Sequence, residues 1–119
     1  MNSPHFFDEQ AAKKNLAAQE EALRQASEQE RLDILEHCSF FLKKRFSGKN
    51  IEVYLVGSIT RPYQFRKDSD IDIVLKGYTG DRFEIWTELE AALHRSVEII
   101  LFESCHFQDH VIRQGIKVI

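Results

Sequence analysis

Large apolar residues are unevenly spread along this chain. From Asp8 to about Ser27 the residues are mostly Ala, Gln, Glu and Lys, good helix formers, and the only large apolar side chains are Leu16 and Leu23. That pattern predicts a helix burying little by itself, an arm either frayed or resting on a partner. Beyond Ser27, Leu32, Leu35, Cys38, Leu42 and Phe46 recur at helical spacing, which predicts a segment lying on a core. Ser27 and Glu30 have the form of a capping box. The sequence leaves open whether one helix runs through Ser27 or two meet there. Ser47-Gly48-Lys49-Asn50 supplies the turn that ends the segment.

The period then switches to two. Ile51, Val53 and Leu55 alternate up to Val56, and Ile71, Ile73 and Leu75 do the same, so both stretches read as strands with one face on a core. Asp81 caps a helix running to about Arg95, striped by Phe83, Trp86, Leu89 and Leu93. Val97 to Phe102 is a third strand, Ser104 to Gln114 a last helix capped by Ser104 and stopped at Gly115, and Ile116 to Ile119 a short edge strand. The order implies an α+β fold, a small mixed sheet packed with helices.

With 119 residues the chain is large enough for one domain with its own core. We divide it into an N-terminal helical arm, 1–26, and a globular part, 27–119. A net charge of -3, with no long basic run, argues against direct nucleic-acid binding. No apolar stretch approaches the ~20 residues of a membrane span. The start MNSPHFFDEQ lacks the marks of a secretory leader, so a cytoplasmic protein without a membrane partner is expected. Cys38 and Cys105 then read as reduced thiols without a role.

The acids change the picture. Asp70 and Asp72 alternate with Ile71 and Ile73, so a strand points both carboxylates the same way, roughly 6 to 7 Å apart, with a repulsion of about 2 to 3 kcal/mol at an effective dielectric of ~20. A divalent cation offsets such repulsion well, since Mg²⁺ prefers carboxylates, water and phosphate oxygens. Glu98 is the only charge in the third strand and is costly to bury alone; if that strand lies beside the second, it joins the pair. Gly57-Ser58 closes the first strand, and backbone N–H groups in the turn that follows suit a phosphate. A phosphate cradle beside metal-binding acids is what phosphoryl and nucleotidyl transfer need. Arg66, Lys67 and Lys76 read as a solvated basic rim. His106 and His110, four apart, lack the further ligands of a zinc site and read as surface residues. Tyr54, Tyr63 and Tyr78 read as structural, with Tyr63 also available to stack on a base.

Gly57-Ser58, eleven intervening residues, Asp70-Ile71-Asp72 and the later Glu98 resemble the minimal nucleotidyltransferases of the DNA polymerase beta superfamily. The resemblance covers roughly Ile51 to Ile119, including the Arg113-Gln114-Gly115 ending. It departs at Glu98, where many relatives carry Asp, at Pro62, where Gly is common, and in a loop one residue longer. The resemblance implies a palm-like sheet for 27–119, ATP as substrate and two Mg²⁺ ions held by Asp70, Asp72 and Glu98 as the catalytic residues. Gly57, Ser58 and Arg61 would bind the nucleotide. It further implies an antitoxin that AMPylates a tyrosine of a HEPN ribonuclease toxin, the chain having no residues left for a domain binding a small acceptor. The alternatives are a non-catalytic antitoxin acting by contact, and a small-molecule nucleotidyltransferase that builds its pocket in a homo-oligomer.

Overall fold

The computed structural model describes residues 9–119; Asp8, the expected start of the first helix, lies outside them. Helix α1, Glu9–Phe46, runs without interruption for 38 residues, which is ~57 Å of helix, and the molecule measures 76 Å along its long axis. Helix formers continue on both sides of Ser27, and the capping box does not form. Ser27 Oγ instead donates to the Phe65 carbonyl at 3.4 Å, and Glu30 faces Arg95 at 3.6 Å. From Arg31 onward one side of the helix turns inward, burying Arg31, Cys38, Leu42 and Phe46. Leu32, expected in that stripe, is exposed, while its neighbour Arg31 takes the buried position. Gly48 ends the run with a left-handed φ of 75°, and Lys49 N–H caps the Phe46 carbonyl at 3.1 Å.

Four strands follow: β1 Glu52–Val56, β2 Ile71–Lys76, β3 Val97–Leu101 and β4 Ile116–Lys117. They form one sheet in the order β3-β2-β1-β4. β1 is antiparallel to both neighbours, whereas β2 and β3 are parallel, which requires a crossover between them. Helix α2, Arg82–Leu93, is that crossover, and the Asp81 carboxylate accepts from Phe83 N–H and Glu84 N–H as its cap. Alternation along the strands sorts the side chains into two layers. Val53, Leu55, Ile71, Ile73, Leu75, Val97 and Ile99 join α1 and α2 in the main core; Tyr54, Val56 and Val74 meet Val111 on the other face.

The last helix starts later than its sequence suggests. β3 gives way to a 3₁₀ turn at Phe102–Ser104, and α3 spans only Gln108–Gln114. Ser104 Oγ donates back to the Leu101 carbonyl at 3.4 Å and Gln108 Nε2 to the Phe102 carbonyl at 2.7 Å, so both side chains serve the turn. His106 therefore precedes α3 while His110 lies within it. Both cysteines are free, and burial pushes the Cys38 thiol up to about 12. No helix among the described residues is long and apolar enough to cross a membrane.

Candidate active site

The register of the sheet assembles the acids. Because β1 runs against β2 and β2 runs with β3, the end of β1 and the starts of β2 and β3 meet at one margin. There Val56 lies opposite Asp72, and Asp72 lies opposite Glu98. All three side chains leave the sheet on the face away from α1 and α2. Asp72 and Glu98 come within hydrogen-bonding reach, and Asp72 is half-buried. Desolvation, then the Glu98 charge and that contact, then the Asp70 charge push the Asp72 carboxyl up to about 6. Asp70 sits one step before β2 and is exposed, as is Glu98. Asp72 and Glu98 are thus opposed directly, with Asp70 beside them. Among the described residues no three Asp, Glu, His or Cys side chains are already gathered in metal-holding geometry.

Gly57 stands on the other flank of Asp72. Its φ of 78° is left-handed, and a Cβ built on it would lie 2.3 Å from Asp72 Oδ2. The left-handed φ favours glycine, and any side chain here would have to push the Asp72 carboxylate aside. The backbone of the turn thereby touches the carboxylate directly. Gly57–Thr60 forms a 3₁₀ turn, closed by Thr60 Oγ1 donating to the Gly57 carbonyl at 2.7 Å and by Arg61 N–H donating to the Ser58 carbonyl at 3.1 Å. Ser58 is half-buried in the turn and Arg61 is exposed.

Helix α1 fixes this turn from behind. Arg31 is 5% exposed; its Nη1 donates to the Ile59 carbonyl at 2.7 Å, and its Nε and Nη2 grip both oxygens of Glu28, each at 2.8 Å. Glu28 also accepts from Tyr63 N–H at 2.9 Å, which holds Tyr63 at a left-handed φ of 64°. The Arg31 hydrogen bonds first, then that backbone donor, hold the Glu28 carboxyl down at about 2. The Tyr63 ring lies under the Arg24 guanidinium at 4.1 Å, which occupies a face expected to be open to a base. Arg95 gathers the rest of the loop, donating to the carbonyls of Ser69, Arg66 and Lys67 while stacking over Phe65 at 4.3 Å.

Glu28, Arg31 and Arg95 were not singled out in the sequence. The available signal was Arg31 itself, seven residues before Cys38 on the inward side of the helix. Lys76, assigned to a basic rim with Arg66 and Lys67, is at the far end of β2 from the acids, paired with Glu52 at 3.3 Å. Beside the acids on the β3 side, a cleft of about 680 Å³ opens between β3 and the start of α2, with Asp70 and Glu98 in its wall.

A cation fits this margin on its chemistry. Two further carboxylates, Glu98 across the sheet and Asp70 beside it, press on Asp72, and oxygen donors of this kind are what Mg²⁺ takes, although the three are not gathered in metal-holding geometry. The glycine turn beside them is the sort of backbone that lets a phosphate approach closely. Carboxylates beside a glycine turn are the groups that phosphoryl-transfer chemistry uses.

The comparisons with known proteins agree and go further. The nucleotidyltransferase domain model matches residues 35–116, and the chain belongs to that family. It is also similar to a chain in the crystal structure of the toxin-antitoxin MntA-HpeT, in a mutant with two aspartates changed to glutamates: 27% identity, TM-score 0.54, 67% of this chain and 68% of that one. A toxin-antitoxin crystal structure with AMP-PNP matches at 27% identity and TM-score 0.54, over 68% of this chain and 70% of that chain. No curated protein matches.

Proposed function

We propose that this protein is a Mg²⁺-dependent nucleotidyltransferase that transfers AMP from ATP to a hydroxyl of a partner protein, a tyrosine of a HEPN ribonuclease toxin, and so acts as a cytoplasmic antitoxin. The observation that carries this is the row Gly57, Asp72, Glu98, in which a glycine turn touches a carboxylate that faces a second acid across the sheet. The similar toxin-antitoxin structure whose mutated aspartates are separated by one residue, like Asp70 and Asp72, supports it. The neighbour with AMP-PNP supports ATP as the donor.

In this reading Asp70, Asp72 and Glu98 hold two Mg²⁺ ions, which when bound stabilise the charge on the attacking and leaving oxygens. The chain's own residues do the rest. Gly57 and the Ser58 hydroxyl receive the triphosphate tail, Arg61 adds a cation at the turn's exit, and Arg31 pins the Ile59 carbonyl and with it the shape of the turn. Glu98 receives the proton of the attacking hydroxyl.

The stretch 9–26 favours a second reading for the partner contact. Leu16 and Leu23 are 58% and 71% exposed on a helix that projects from the sheet, which suits neutralisation by contact as well as chemistry. Incubating the protein with labelled ATP, Mg²⁺ and a co-expressed HEPN toxin should label the toxin. Asp70→Asn and Asp72→Asn should abolish the label and the neutralisation while leaving the complex intact. Full neutralisation by both variants would instead establish contact alone, and deletion of residues 1–26 without loss of binding would remove the arm from it.

A further inference from the structure

In-line displacement puts the attacking and leaving oxygens on opposite sides of the reacting phosphorus. The row across the sheet has two sides. The glycine turn at the end of β1 lies on one flank of Asp72, and Glu98 on β3 lies on the other. If the pyrophosphate leaves over Gly57 and Ser58, the attacker arrives from the β3 side. On that side lies the cleft of about 680 Å³, walled by Asp70, Glu98, Arg82, Phe83 and Trp86.

The walls of this cleft are unusual for a surface beside acids. Phe83 is 68% exposed, and its ring leans on Trp86 at 5.7 Å between centroids and 46° between planes. Trp86 is fixed by its Nε1 donating to the Val97 carbonyl at 2.8 Å, and Arg82 is anchored on the Ile99 carbonyl. The free edge of β3 is thereby tied to α2, so its Val97 and Ile99 carbonyls are not offered to an incoming strand. What remains open is a pair of aromatic faces leading to two carboxylates. An aromatic ring fits such a wall, because edge-to-face and offset contacts stabilise it beyond its buried area, and a hydroxyl at the ring's far end would then point at the acids.

We propose that the Phe83–Trp86 cleft is the acceptor site and that it selects a phenolic side chain, a tyrosine presented on a protein loop, over an aliphatic hydroxyl. This rests on the reading of the margin as a nucleotidyltransferase centre. The phenolic oxygen forms a bond to the α-phosphorus of ATP. The bond from that phosphorus to the bridging oxygen breaks, with its electron pair leaving on pyrophosphate, and the phenolic proton passes to Glu98 and then to water. The volume is in the range of small-ligand sites and exceeds one phenol ring, leaving room for residues flanking the tyrosine.

Trp86 is the chain's single tryptophan, so its emission reports on this cleft directly. The probes are N-acetyl-tyrosinamide, N-acetyl-serinamide and ATP with Mg²⁺, added to the whole protein. The tyrosine amide should change Trp86 emission saturably, with a midpoint on the order of millimolar for so small a ligand, while the serine amide does not. Phe83→Ala, at an exposed position that leaves the fold intact, should raise the midpoint about tenfold with ATP affinity by calorimetry unchanged. A saturable response to ATP and none to the tyrosine amide would assign the cleft to the nucleotide base and overturn the proposal, as would a Phe83→Ala variant that weakens ATP alone. The titration needs no turnover. A failed titration therefore counts against the cleft, and a failed labelling experiment against the reaction.

Discussion

Two carboxylates at the same end of the molecule have opposite surroundings. Glu28 on α1 receives three hydrogen bonds, two from Arg31 and one from Tyr63 N–H, and is held down at about 2. Asp72 on β2 has Glu98 across from it, Asp70 beside it and glycine backbone against it, and is pushed up to about 6. The Glu28 network completes itself within the chain and holds the turn in shape. Asp72 is left in a conflict that its own fold does not resolve, and conflicts of this kind gather where a ligand is to supply the missing charge.

The largest expected effect comes from deleting the conflict. Asp72→Asn should reduce AMP transfer by about a thousandfold or more, the scale on which loss of transition-state charge stabilisation acts, yet the metal-free variant should melt no lower than the parent protein. Transfer assays and thermal melts together check this. A variant that loses activity and also unfolds would show that Asp72 is part of the scaffold like Glu28, and the contrast between the two would disappear.

Next in size is damage to the satisfied site. Arg31→Met keeps the length of the buried stem but leaves the Ile59 carbonyl without its donor, at a cost of about 2 kcal/mol in unfolding free energy. Since the turn it supports carries Gly57 and Ser58, the apparent affinity for ATP should weaken as well. Arg31→Lys should restore part of the stability and less of the affinity, because a point ammonium cannot span Glu28 and Ile59 together. Unchanged nucleotide affinity in a folded Arg31→Met protein would mean that the turn needs no support from α1.

These two sites differ in how far they can be read from the sequence, and for a physical reason. Asp70, Asp72 and Glu98 are visible because a period of two exposes any charge that interrupts it, and the parallel pairing of β2 with β3 then follows from the helix between them. The Gly57 turn was visible as a turn, but the 2.3 Å approach of its missing Cβ to Asp72 joins residues fifteen apart and needs the strand register. Glu28 and Arg31 were hidden. An i, i+3 ion pair on a polar helix normally lies in solvent, and only the packing of 59–63 over α1 turns it into a buried clamp. Ser27-Glu30 shows the reverse: local capping chemistry is present, but both side chains are taken by the loop and Arg95 instead. Ser104 differs from its expected capping role for the same reason, its hydroxyl serving the turn after β3.

The smallest effect is the most direct measure of the conflict at Asp72. A carboxyl whose folded pKa is raised from 3.8 to about 6 binds its proton more tightly in the folded than in the unfolded chain, so folding stability is lost as pH rises between those two values and is level above them. The full shift corresponds to about 3 kcal/mol, but a half-buried group is screened by water, and about 1 kcal/mol is the reasonable expectation. Other carboxylates, Glu28 among them, push in the opposite direction as pH falls, so total stability is the wrong observable. The difference between Asp72→Asn and the parent protein cancels them. In metal-free buffer that difference should grow in the variant's favour from near zero at pH 4 to its plateau by about pH 7. Mg²⁺ should shrink it, because the ion stabilises only the chain that can bind it. A difference that stays flat across this range would mean that Glu98 and Asp70 do not press on Asp72 in the folded chain, and with it would go the contrast with Glu28.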